Sequence, residues 1–217
     1  MRVTTVSLKL FVLALFIVLV GELITLSVGY HSSLPMTLVL GVERLLLCLI
    51  LLMLVAVSGP GLAPLGLVFD RFGSGLQRGL IWSACFGLAA LVFFGILYAF
   101  RISLFEVIRI PLPIGSQELM LFFLAGAVFG PVAEEIFFRG IVYGFLRKWG
   151  VLPALVGTTA VFVAAHTLQS GLPVPQIVGG LVFAIAYELE GTLLVPIVIH
   201  VLGNAALFSL SLLNNFM

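Results

Sequence analysis

The stretch from Gln117 to Arg147, QELMLFFLAGAVFGPVAEEIFFRGIVYGFLR, is an apolar run of about 31 residues, some 46 Å long if helical at about 1.5 Å per residue. That exceeds the roughly 20 residues a helix needs to cross a bilayer. Inside it, Glu134-Glu135-Ile136-Phe137-Phe138-Arg139-Gly140 sets two adjacent carboxylates and an arginine in a chain with 9% charged and 62% hydrophobic residues. A charge held at membrane depth costs about 2.5 to 3.5 kcal/mol on insertion scales, and such groups face a cavity or a partner. Three of them so close together point to a functional site.

The rest of the chain has the same character. A mean hydropathy of +1.32 over 217 residues is more apolar surface than a soluble domain can hide, so the expected fold is an all-α, polytopic transmembrane bundle. One integral membrane domain is expected over 1–217, with the motifs in a core at about 117–213 and accessory helices in 1–116. A net charge of +1 provides no basic patch for nucleic acid; the bilayer is the expected partner. Cys48 and Cys85 stand alone in apolar runs and read as buried small hydrophobes. The run at 8–28 is longer than a leader's apolar core of about 7 to 15 residues and reads as the first transmembrane helix.

Apolar segments fall at 8–28, 34–57, 78–100, 117–147, 152–169, 173–188 and 191–213, giving about seven spans, or eight if Arg101 to Ile110 is counted rather than laid along the interface. Arg2, Lys9, Arg71, Arg78, Arg147 and Lys148 collect on one side, against Arg101 and Arg109 on the other. The excess of positive charge predicts a cytoplasmic N-terminus. Glu188 and Glu190 then lie in a solvated setting at the cytoplasmic end.

Gly130-Pro131 is expected to interrupt the fourth helix and to leave Glu134 and Glu135 on the first turn of its second half. Glu135 and Arg139, four apart, pair on one face. Glu134 is rotated by about 100° and stays the less neutralised carboxylate, the candidate general base. Two histidines lie in later spans, each with a companion four residues away: Phe162 with His166, and Asn204 with His200. Gly203 is expected to admit a neighbouring backbone. Counting about 1.5 Å per residue from the helix ends puts Glu134, His166 and Asn204 level, about 20 Å from the cytoplasmic face, with His200 about one turn nearer to it. The active site is therefore expected between helices 4, 5 and 7. Glu22 and Arg44 fall at a similar depth and, with Glu43, read as a separate structural cluster.

A carboxylate and an imidazole at one depth activate a water, while a second imidazole and an amide NH2 donate to a developing oxyanion. The same groups also suit a catalytic zinc, although HExxH is absent. Glu-Glu-x-x-x-Arg, then Phe-x-x-x-His, then His-x-x-x-Asn on successive apolar helices resembles the CPBP family. That family comprises CAAX prenyl proteases and bacteriocin-processing or immunity proteins, and its type II (Rce1-like) members are glutamic intramembrane proteases.

The resemblance covers about 117–213. It implies that Glu134 and His166 activate the water, that His200 and Asn204 form the oxyanion hole, and that Glu135 and Arg139 support the site; Phe162, four residues before His166, reads as a packing residue with a secondary role in positioning it. It also implies no obligatory metal or other cofactor, a cavity open toward the cytoplasm, and a membrane-anchored substrate, prenylated or bearing a hydrophobic tail. The alternatives left by the residues are a non-proteolytic binding or immunity protein and a transporter with an ion or proton pathway.

Overall fold

The computed structural model describes residues 5–59, 61–101, 110–166 and 173–214. Among them are seven helices: α1 (Leu8–His31), α2 (Met36–Val57), α3 (Phe72–Ala99), α4 (Ser116–Trp149), α5 (Val151–His166), α6 (Val174–Glu190) and α7 (Leu194–Asn214). The chain is a polytopic helical membrane bundle, as its composition predicts. The end of the fifth predicted span and residues 102–109 lie outside the described residues.

Among the described residues, five stretches are long and apolar enough to cross a membrane: Leu8–His31, Met36–Val57, Ala63–Ala99, Ser116–Trp149 and Leu194–Leu213. Helices α5 and α6 have 16 and 17 residues, about 24 to 26 Å at 1.5 Å per residue. The two helices pack against each other, and residues 167–172 between them lie outside the described residues. Helix α3 begins six residues earlier than expected because Asp70 and Arg71 form a single tight turn leading straight into it.

The two ends of the bundle are fixed by contacts. At one end the Val6 amide donates to the Gly144 carbonyl and Phe11 stacks on Phe145 at 4.2 Å, so the start of α1 lies against the end of α4. The loop after α2 meets the α6–α7 turn there, through Leu193 N–H to the Leu65 carbonyl (2.9 Å) and the Thr192 hydroxyl to the Gly66 carbonyl (2.9 Å). Glu190, closing α6, takes hydrogen bonds from Arg78 at 2.5 Å and Trp82 at 3.0 Å. Glu188 takes hydrogen bonds from Arg147 and Tyr143. These two part-exposed glutamates staple neighbouring helices together. Lys9, Arg71, Arg78, Arg147 and Lys148 all belong to this end. At the other end the Ile110 amide donates to Ser211, and Phe122 and Phe123 pack on Phe208.

Helix α4 is the axis, and it is not broken at Gly130-Pro131. Leu124–Phe129 and Glu135–Tyr143 are π-helical, with Gly130–Glu134 between them as ordinary α-helix. The Gly130 amide reaches the Ala125 carbonyl, five residues back. A proline that cannot donate is absorbed by widening the turn before it. Glu134 and Glu135 therefore lie in a continuous helix, not at a helix start.

Close approaches fall elsewhere than expected. A Cβ on Gly203 would meet nothing within 4 Å, whereas one on Gly79 would come within 2.7 Å of Val198. Cys48 is buried but Cys85 is exposed on the outer face of α3. Gly66 has φ +68°, and a Cβ there would collide with the Gly191 carbonyl oxygen. Gly66→Ala combines left-handed backbone strain with a backbone clash, and is expected to cost about 2 to 4 kcal/mol. Thermal unfolding in detergent checks this, with Gly59→Ala, which meets nothing within 4 Å, expected to unfold like the parent.

Candidate active site

Glu134 and Glu135 are neighbours on α4 that face different surroundings, since successive helical residues are turned by about 100°. Glu135 is fully buried. Its Oε1 accepts from Arg139 Nη1 at 2.8 Å and from His200 Nδ1 at 2.7 Å. Arg139, also fully buried, uses Nη2 to donate to the Gly180 carbonyl of α6 at 3.3 Å. Its guanidinium lies between the rings of Phe162 and Phe183, 4.5 and 5.1 Å from their centroids. A carboxylate, a carbonyl and two ring faces offset part of the desolvation of a fully buried cation, while Arg139 Nε and Glu135 Oε2 find no hydrogen-bond partner among the described residues.

Glu134 stays 21% exposed at its side chain and lines a cavity of about 160 Å³. Its Oε2 is 3.6 Å from His166 Nε2 and 3.9 Å from His200 Nε2. The orientation of each imidazole is set by its other nitrogen. His166 Nδ1 donates to the Phe162 carbonyl at 2.7 Å, one turn back in α5, and His200 Nδ1 is held by Glu135. Both Nε2 atoms are thereby turned to the same carboxylate oxygen. Phe162 packs on His166 at 4.5 Å as well as on Arg139, and Phe183 stacks on His200 at 4.6 Å.

Asn204 sits one turn past His200 on α7 and donates from Nδ2 to the Gly126 carbonyl at 2.9 Å. The irregularity of α4 accounts for that carbonyl. The Gly130 amide goes to Ala125, and the next residue, Pro131, has no N–H to give. Asn204 replaces the missing donor, and its second amide hydrogen remains for a ligand.

The structure thus brings Glu134, Glu135, Arg139, Phe162, His166 and His200 into one contact network, with Asn204 tied to Gly126 in the cavity wall. Three participants were missed in the sequence. Phe183 and Gly180 belong to α6, which was assigned no part in the site; the Gly179-Gly180 pair was the available signal of close packing. Arg44 was placed at the right depth but in a separate cluster. It does bond Glu22 at 2.6 Å, yet it also lines the cavity that holds Glu134.

That cavity is walled by Thr37, Leu40 and Arg44 of α2 and by Phe122, Ala125, Gly126, Gly130 and Glu134 of α4, on the side away from the basic end of the bundle. Toward the basic end the way is filled by Arg139, Tyr143 and Tyr187, each at most 1% exposed, and by the Arg147–Glu188 pair at 2.8 Å. A second cavity near Gly66, Phe69 and Thr192 includes none of the site residues. The start of α1 and the Glu134 cavity lie toward opposite ends of the described bundle.

Residues 116–206 match the family model described as Type II CAAX prenyl endopeptidase Rce1-like, the same family the motifs resemble. The chain is also 30% identical over 106 residues to the membrane-embedded CAAX protease MroQ of Staphylococcus aureus (strain USA300). That alignment takes in 46% of this chain and 42% of the relative, so the chain spans less than half the length of the curated protein it matches. No solved structure matches.

Breaking the Glu135–Arg139 pair from one side leaves a buried, uncompensated cation. Glu135→Leu is expected to destabilise the protein by about 3 to 5 kcal/mol, and Glu135→Leu with Arg139→Met by much less. Thermal unfolding of both variants in the same detergent measures the difference.

Proposed function

With residues 116–206 matching the Rce1-like model, we propose that the protein is an intramembrane endopeptidase that hydrolyses a peptide bond of a membrane-associated protein or peptide. The observation that carries this reading is the single carboxylate oxygen, Glu134 Oε2, facing His166 Nε2 at 3.6 Å and His200 Nε2 at 3.9 Å on a side chain that also lines a cavity. Both separations exceed a direct hydrogen bond. A water at that edge contacts Glu134 and His166 together.

In this mechanism the water oxygen attacks the scissile carbonyl carbon and its proton passes to the Glu134–His166 pair. The carbonyl becomes an oxyanion that accepts from His200 Nε2–H and from the second amide hydrogen of Asn204. Glu135 on Nδ1 supports the positive charge that His200 carries when both its nitrogens are protonated. As the tetrahedral carbon collapses, the C–N bond breaks and the held proton moves to the leaving amine. One water is consumed; a carboxylic acid and an amine are released, with no covalent enzyme intermediate.

Phe162, Phe183 and Arg139 act as positioning residues by holding the two imidazoles. The transporter reading has less to stand on, because α4 is continuous where a discontinuous helix was required.

Co-expression with an epitope-tagged membrane substrate, read by immunoblot, tests the roles. Glu134→Gln and His166→Ala are each expected to slow cleavage by about 10²-fold or more, while the variants accumulate in the membrane as the parent does. Asn204→Ala is expected to lose about 10²-fold. A chelator leaves the rate unchanged under the metal-free reading. Cleavage at the parental rate by both Glu134→Gln and His166→Ala would refute the assignment.

A further inference from the structure

We propose that Arg44 of α2 is a substrate-binding residue of this site, donating from Nη2 to a main-chain carbonyl of the peptide next to the scissile bond. The word substrate rests on the protease reading. That Arg44 presents an unused donor to the cavity of Glu134 does not.

The packing of α2 aims Arg44 at the site. One turn before it, a Cβ on Gly41 would lie 3.4 Å from the Ala125 Cβ, and one turn after it Cys48 Sγ donates to the Phe129 carbonyl at 3.5 Å. Residues three and four apart share a helical face, so the Arg44 side chain leaves α2 on the side of α4. It lines the same cavity as Glu134 and lies close enough for its charge to act on both Glu134 and His166.

The donors of Arg44 are unequally used. Nη1 donates to Glu22 Oε1 at 2.6 Å, and Nε lies 3.3 Å from Glu43 Oε2. Nη2 has no hydrogen-bond partner among the described residues and is not buried. Arg139 differs in both respects. It is fully buried and gives Nη1 to Glu135 and Nη2 to Gly180, whereas Arg44 keeps 23% side-chain exposure. One arginine holds the site together, and the other turns the N–H groups of one nitrogen toward whatever enters it.

Charge decides which acceptor fits. Glu22 and Glu43 already set two carboxylates against this one guanidinium, and Glu134 adds another in the same cavity, so an anionic ligand finds no surplus of positive charge. A peptide carbonyl is neutral and accepts along the plane that the guanidinium presents. Beyond Thr37, the remaining wall residues Leu40, Phe122, Ala125, Gly126 and Gly130 have no side-chain donor. A backbone carbonyl drawn in among them is left unpaired unless Arg44 meets it, and an unpaired carbonyl in apolar surroundings is costly. Glu22 and Glu43 hold the guanidinium still, as Glu135 holds His200.

Fluorophore-labelled casein, an unfolded polypeptide, serves as the probe of the purified protein in detergent. Binding is read by anisotropy on Glu134→Gln protein, which keeps the cavity and lacks the base, and cleavage by fluorescence release with Glu134 intact. Arg44→Lys keeps the charge beside Glu22 and loses the planar fork. It is expected to weaken binding and raise KM about tenfold while kcat stays within about threefold, as for a contact made equally in the ground and transition states. Gly66→Ala, destabilised outside the site, is expected to keep the parental KM. An Arg44→Lys variant that binds and cleaves casein as the parent does overturns the proposal. So does a rise in KM that Gly66→Ala reproduces at an equal drop in unfolding temperature, which marks Arg44 as structural, and so does casein that fails to bind at all. Binding that depends on Arg44, with no cleavage by the parental protein, leaves the subsite standing and removes the protease reading.

Discussion

The buried ion pair between Glu135 and Arg139 is the interaction on which the rest of the structure depends. It is made by residues one turn apart on α4, yet its reach is three further helices: His200 of α7 through Glu135, Gly180 of α6 through Arg139 Nη2, and Phe162 of α5 through the guanidinium face. An ion pair in an apolar interior gains little over well-packed hydrophobic residues, and losing one partner costs far more than the pair contributes. Its value here lies in orientation. By fixing His200 Nδ1 it aims Nε2 at Glu134, and by bracing Phe162 it packs the ring against His166.

The helical axis and the chemistry are joined by Pro131. A proline at this point removes a backbone donor, and the helix widens before it instead of breaking. The Gly126 carbonyl left open by that adjustment is met by Asn204. The irregular backbone of α4 and the polar residue on α7 are therefore two parts of one arrangement, and they place α7 against the cavity wall. This explains how so apolar a bundle, with 9% charged residues, can keep a polar cluster in one geometry.

Much of this was legible in the sequence, for reasons of arithmetic. Rise per residue set the common depth of Glu134 and His166, but it is His200 that meets Glu134 while Asn204 reaches Gly126 further along α4; a spacing of four set the Glu135–Arg139 pair. What one chain does not encode so simply is azimuth. Arg44 was assigned the correct depth, but whether it faced Glu22 alone or also the Glu134 cavity depends on how α2 packs against α4. Phe183 carried no polar signal. The response to Pro131 could be a kink or a π turn with equal covalent sense, and the packing of Asn204 and Gly130 decides it.

The central claim is that Glu134 and His166 act as one unit on a single water. A double-mutant cycle in kcat/KM on a purified substrate, with Glu134→Gln, His166→Ala and the combined variant, tests it most directly, because groups that share one step lose their effect together. The account predicts that the combined variant is no slower than the slower single variant. Losses that multiply, each variant acting as though the other were intact, would contradict it.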